Sequence, residues 1–192
     1  MIENLVDKII NKQLEENIIS IEEVNIYKYG YILVCEVFVN IIIALIIAGI
    51  SGKWLLVILF LIIYIPLRSF CGGWHADKFW KCTIYSNLII VLMLINIEYI
   101  VDRFNNIVFL SNFIICSICI FCFAPVDTKT KLISIDEKKV YRKKIRIIVL
   151  LHFIVYIMMI LMDWNEIVYL ITFSYVIQVI ILFIEKVRRK KK

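Results

Sequence analysis

Glycine and proline are nearly missing from this chain, at five and two residues in 192, and charged residues make up only 20% against 62% hydrophobic. So little turn-forming and polar material excludes a water-soluble domain. Runs of 17 or more almost uncharged residues recur, and that is the length needed to cross a bilayer. A cleavable signal is also lacking, because the first 28 residues are charged and hold no apolar core followed by a small-residue cleavage site. Insertion is therefore expected through the chain's own first hydrophobic helix. None of the six cysteines falls in an expected external loop, and Cys35, Cys116, Cys119 and Cys122 lie inside apolar runs. That argues against a disulfide framework. Histidine is limited to His75 and His152. The Cys116-x-x-Cys119-x-x-Cys122 series has no nearby histidine or carboxylate, so it reads as small helix-packing residues rather than a metal site. No metal or cofactor is expected.

What is present is helical periodicity. Ile2, Leu5, Val6, Ile9, Ile10 and Leu14 recur at helical spacing among charged residues, which predicts an amphipathic helix on the membrane surface. Ser20 followed by Glu23 matches a capping box and places a helix start at Ile21, running toward Tyr29. Six apolar spans follow at 31–50, 54–70, 82–101, 107–124, 145–162 and 167–185. Pro66, near the end of the second, predicts a kink or stop just before the polar segment that follows it. The expected fold is therefore all-α: a polytopic membrane protein of about six transmembrane helices plus the N-terminal amphipathic helix. It is one membrane domain over 1–192, with a cytoplasmic segment 1–30, a transmembrane region 31–185 and a basic tail 186–192.

The basic residues orient it. Six spans put the loops alternately on two sides, and 20 of the 22 Lys and Arg fall on the side of both termini, leaving only Lys53 and Arg103 opposite. Both termini and the segment Arg68–Cys82 are then cytoplasmic. The net charge of +6 follows from this asymmetry, so the lipid bilayer is the expected partner and nucleic acid is not.

Between the second and third spans lies the one polar stretch separating two long apolar runs: Arg68-Ser-Phe-Cys-Gly-Gly-Trp-His-Ala-Asp-Lys-Phe-Trp-Lys-Cys82. A thiol and an imidazole at a membrane edge are the minimal parts of a thiolate nucleophile. His75 could take the proton of Cys82, and Cys82 falls in the first turns of the third span, where unpaired N–H groups carry partial positive charge. Gly72-Gly73 permits a sharp turn that could bring N–H groups to a substrate carbonyl. Arg68 could bind a peptide carboxylate or pair with an acidic residue. The blander reading is a cytoplasmic loop with a glycine turn, interfacial Trp74 and Trp80, and incidental Cys and His. On a straight helix, His75 and Cys82 would stand ~10.5 Å apart along the axis. The dyad therefore predicts a non-helical stretch from about Arg68 to Trp74, turning at the glycine pair.

This segment closely resembles the signature of the AgrB family, membrane-embedded cysteine endopeptidases of bacterial quorum sensing. Ala124-Pro125-Val126-Asp127-Thr128-Lys129 resembles the family's Ala-Pro-x-x-Thr-Lys loop, in the expected order along a chain of fitting length and hydropathy. The resemblance implies that Cys82 is the nucleophile and His75 its partner, with Arg68 and Gly73 also required. It implies a multi-pass protein of the bacterial cell membrane and a homodimer. The implied substrate is an AgrD-like precursor peptide with an amphipathic leader, an autoinducer segment and an acidic tail. The enzyme would cut before the tail, hold the autoinducer segment as an acyl-thioester and support thiolactone or lactone ring formation. The alternatives are a peptide exporter and a non-catalytic scaffold that recruits the precursor. An exporter would be favoured by paired carboxylates or an inverted repeat among the spans, and the sequence has neither.

Other polar residues have weaker claims. Glu36, about five residues inside the first span, could orient His75 or pair with Arg68. Lys129 and Lys131 open a basic loop to Arg146, whose eight basic residues against Asp127, Asp136 and Glu137 leave +5. That loop could attract an acidic tail, or it could anchor the topology on anionic lipid. Asp77 is another candidate orienter of His75 or a solvated loop charge. His152 is expected to face the bundle as a hydrogen-bonding residue. Cys71 is a rival thiol that matches no nucleophile position of the family.

Overall fold

A computed structural model describes residues 2–74, 79–103, 105–127 and 134–190. They form seven helices: α1 (Ile2–Glu15), α2 (Val24–Ser51), α3 (Trp54–Cys71), α4 (Phe79–Arg103), α5 (Asn106–Phe123), α6 (Ile135–Leu161) and α7 (Asn165–Lys190). The last six are long and apolar enough to span a membrane, so the protein is an all-α, multi-pass membrane protein.

Helix α7 is the hub, packing against α3, α4, α5 and α6, while α2 sits outside and touches α3 and α4. Burial follows that arrangement: half of the most apolar window of α7 is buried, against 11% of that of α2. Val57, Phe60, Leu67, Phe113, Ile120, Leu170 and Ile171 fill the core, and Leu55, Ile62, Ile107 and Leu150 face outward, where lipid takes the place of a protein partner. His152 behaves as expected, its Nδ1 lying 3.1 Å from the Tyr175 hydroxyl between α6 and α7.

The amphipathic helix folds back on the next one. Val6 and Ile10 are buried with Ile19 against Val24, Tyr31 and Ile32, and Lys28 pairs with Asp7 at 2.5 Å. The Ser20 signal is only half a capping box. Glu23 Oε2 accepts from the Ser20 N–H at 3.0 Å and from its hydroxyl at 2.9 Å. No side chain caps α2, which begins at Val24 and continues without a break through the first span. The Ser20 bonds hold the Glu23 carboxyl below its usual range. The complete box stands elsewhere, at Ser134 and Glu137. It starts α6 ten residues before the expected span, so the basic stretch from Lys138 to Arg146 is helix rather than loop.

Pro66 does not stop α3. The helix runs through it to Cys71, although proline removes its own donor and crowds the carbonyl four residues back. Leu67 and Cys71 are fully buried beyond it, and the Ser69 hydroxyl bonds the Ile65 carbonyl at 2.8 Å. The expectation of a non-helical stretch from Arg68 is corrected accordingly: Arg68–Cys71 is helical, and the chain turns only at Gly72 and Gly73, with φ of 69° and 110°.

Candidate functional site: a thiol-lined chamber at one end of the bundle

The glycine turn is held from three sides. Arg68, one turn back on α3, donates Nη1 to the Gly72 carbonyl and Nη2 to the Trp74 carbonyl, the latter at 2.5 Å. From α7, Gln178 Nε2 donates to the same Gly72 carbonyl at 3.0 Å, and the Trp74 N–H reaches the Ile181 carbonyl at 3.4 Å. From the loop after α5, Val126 pairs with Gly72 as an isolated parallel bridge, and its N–H donates to the Cys71 carbonyl at 3.1 Å. That loop has a cis Ala124–Pro125 peptide. Asp127, next in the loop, is tied to Lys138 at 3.0 Å and Arg189 at 3.5 Å. Thus the two sequence motifs, more than forty residues apart, meet as one structure.

Both glycines are required by space as well as by φ. A Cβ on Gly72 would press into the Val126 carbonyl oxygen, and one on Gly73 would come within 2.9 Å of Ile181 Cγ2 and 3.3 Å of Arg68 Nη1. The Gly72 N–H closes α3 on the Arg68 carbonyl at 3.2 Å. The Trp74 N–H is also engaged, so these two amides serve the fold.

Cys82 is the fourth residue of α4 and half-buried. It lines a chamber of about 630 Å3 between α2, α3, α4 and α7, within the size range of small-molecule and peptide sites. The Glu36 carboxylate and the Ser86 hydroxyl are hydrogen-bonding neighbours of its thiol, and Arg68 is close enough to act on it through space. Glu36 therefore meets the sulfur, and among the described residues no ion pair joins it to Arg68. Trp74 also lines the chamber, its ring edge-on to Tyr85 at 5.3 Å and 72°. Cys71, the rival thiol, is fully buried. A smaller recess of about 240 Å3, beside Arg142 and Arg146, has no cysteine or histidine in its lining.

His75, Asp77, Lys129 and Lys131 lie outside the described residues. The structure thus brings Cys82, Arg68, Gly72 and Glu36 to one chamber, with Gly73 packed at its edge. It adds residues the sequence reading passed over: Ser86, Asn87 and Asn40 on the chamber wall and Gln178 behind the glycine turn. The available signal was amide or hydroxyl side chains inside otherwise apolar spans, which cost energy unless they find partners.

The sequence profile of the family described as Accessory gene regulator B matches residues 2–182. A protein of Clostridium perfringens strain 13, provisionally named AgrB-like protein 2, is 31% identical over 149 residues, covering 75% of this chain and 70% of its own. A similarly named protein of Clostridium perfringens strain SM101 is 32% identical over the same length and coverage. No solved structure matches the chain.

Proposed function

The chain belongs to the accessory gene regulator B family, which assigns it to quorum-sensing peptide processing at the cell membrane, and from that premise we propose that it is a cysteine endopeptidase acting on an AgrD-like precursor. The observation that carries the proposal is the position of Cys82. Among the six cysteines, it is the one in the chamber lining, and a carboxylate, a hydroxyl and a guanidinium surround it.

In this reading His75, the residue after the pinned Trp74, takes the thiol proton. A carboxylate such as Glu36 holds or orients a thiol but does not stabilise its anion, so a separate base is needed, while Arg68 supplies the nearby positive charge a thiolate requires. The sulfur attacks the carbonyl carbon joining the autoinducer segment to its tail. The C–N bond breaks, and the imidazolium returns its proton to the departing amine, leaving an acyl-thioester on Cys82. A thiol or hydroxyl within the peptide then attacks that carbonyl, closes the ring and releases the Cys82 sulfur, which is reprotonated. Exchange between two thioesters keeps the acyl group activated where hydrolysis would discard it. Embedding the site in the bilayer holds a membrane-bound leader and the enzyme in one plane, which raises their effective concentration.

Cleavage of a co-expressed precursor, followed by mass spectrometry, tests the proposal. Cys82→Ala should abolish cleavage, whereas Cys71→Ala, Cys116→Ala, Cys119→Ala and Cys122→Ala should retain it. A hydroxylamine-sensitive adduct on Cys82 should equal the mass of the precursor without its tail. An exporter or scaffold would leave the precursor's mass unchanged. Cleavage by the Cys82→Ala variant would overturn the assignment.

A further inference from the structure

Deeper in the same chamber, α2 and α4 are joined by an amide ladder. Asn40 Nδ2 donates to the Glu36 carbonyl at 2.9 Å. Asn40 Oδ1 accepts from Asn87 Nδ2 at 2.9 Å, and Asn87 Nδ2 also donates to the Thr83 carbonyl at 2.8 Å. The ladder fixes the orientation of Asn87, because its amide nitrogen has two acceptors and its oxygen must therefore point the other way. That oxygen is one of six buried side-chain polar atoms without a hydrogen-bond partner among the described residues. Asn87 is only 8% exposed, lines the chamber, and its Oδ1 has no hydrogen-bond partner among the described residues. One turn nearer the cytoplasmic end, Glu36 Oε1 is likewise buried and unpartnered. A buried acceptor left unpaired costs free energy, so such atoms mark places that receive a donor.

The axial spacing fits a main-chain donor. Asn87 is five residues beyond Cys82 on α4, so it lies ~7.5 Å further along the axis and about 140° around it, and both residues line the chamber. An extended peptide rises ~3.3 Å per residue and turns N–H groups of the same direction to one side every second residue, about 6.6 Å apart. The remaining chamber wall is mostly Ile, Leu and aromatic side chains. Such a wall suits an apolar peptide segment and offers its main chain almost no hydrogen bonds.

The geometry points to Asn87, keyed by Asn40, as a substrate-binding residue whose Oδ1 accepts a main-chain N–H of the segment on the acyl side of the cut, about two residues from the scissile carbonyl. This rests on the peptidase reading above and extends it: substrate enters as an extended strand along the α2–α4 seam, read by its backbone rather than by its side chains. The acyl segment then lies toward the membrane interior, and the leaving tail lies toward the cytoplasmic, basic end.

The test uses the full-length protein in nanodiscs and the probe acetyl-Leu-Leu-Phe chloromethyl ketone, with the rate of Cys82 alkylation read by mass spectrometry. Three further probes each carry one N-methylated amide. With the native protein, methylation at one amide, that of the second or third residue from the warhead, should slow labelling by roughly tenfold or more. Asn87→Leu should slow the parent probe by a similar factor and be indifferent to that methyl group. Iodoacetamide, which has no peptide amide, should label Cys82 equally fast in both proteins, which controls for an altered fold. If the effects of the methyl group and of Asn87→Leu multiply, or if no methyl group matters in the native protein, Asn87 does not bind substrate amide and the inference is overturned while the peptidase reading stands. Failure of every probe to alkylate Cys82 would overturn both, since the chamber would then not be a peptide site.

Discussion

Gly72 and Val126 pair as a single parallel bridge that joins the end of α3 to the loop after α5. The bridge is possible because Gly72 adopts φ 69° and ψ −150°, a region closed to residues with a Cβ at a cost of about 1–3 kcal/mol. Gly72→Ala should therefore lose cleavage and lower the thermal midpoint in detergent, since the added methyl meets the Val126 carbonyl. Gly73→Val should lose cleavage with a smaller effect on the midpoint. Its Cβ first meets the side chains of Ile181 and Arg68, with the Ile181 backbone carbon behind them at 3.4 Å. Full activity in either variant would show that the turn is not what positions the site.

Arg68 and Gln178 both donate to the Gly72 carbonyl, but they should not be equally important. Arg68 makes charge-assisted bonds to two carbonyls with a planar fork that lysine cannot reproduce. A charged hydrogen bond contributes about 1.5–3 kcal/mol against about 0.5–1.5 for a neutral one. Arg68→Lys should lower kcat/KM for precursor cleavage by roughly tenfold to a hundredfold, and Gln178→Leu by roughly tenfold or less. The reverse order would mean that the guanidinium acts elsewhere than at the turn.

The six spans and their alternation were legible because a bilayer demands long apolar helices and leaves few alternatives. Cys82 at the start of a span was legible for the same reason. Helix ends were harder. Pro66 predicted a kink or a stop; no stop occurs, and α3 continues to the buried Leu67 and Cys71. Ser20 and Ser134 both precede a glutamate by three residues, yet only at Ser134 does the hydroxyl accept the glutamate N–H; the distinction depends on rotamers that spacing does not record. Asn87 and Gln178 were overlooked because a lone amide in an apolar span says only that a partner exists. Naming that partner needs the register of α4 against α2, and of α7 against the glycine turn.

The charge asymmetry gives a prediction about sidedness. Lys138 belongs to the α6 start that is tied to Asp127, at the chamber end of the bundle, whereas Asn165 begins α7 at the other end. In a cysteine-free background, Lys138→Cys should react with a membrane-impermeant maleimide only after the cells are opened. Asn165→Cys should react in intact cells. The opposite pattern would place the chamber mouth outside and overturn the positive-inside assignment.

The last prediction asks whether one chain supplies both partners of the dyad. Trp74, the residue before His75, is tied to Arg68 and Ile181 of its own chain. Its ring packs on Tyr85, which is less than one turn beyond Cys82 on α4. Trp74 is thus held beside the helix that carries the thiol, and His75 is covalently tied to it, with consecutive Cα atoms ~3.8 Å apart. Proton transfer needs a contact of roughly 3 Å or one bridging water, and this tether favours meeting that need within the chain. Co-expression of His75→Ala with Cys82→Ala should therefore leave the precursor uncut, although each variant inserts normally. Recovery of about a quarter or more of native cleavage in that mixture would show that a neighbouring subunit lends its histidine, and would make the homodimer the catalytic unit.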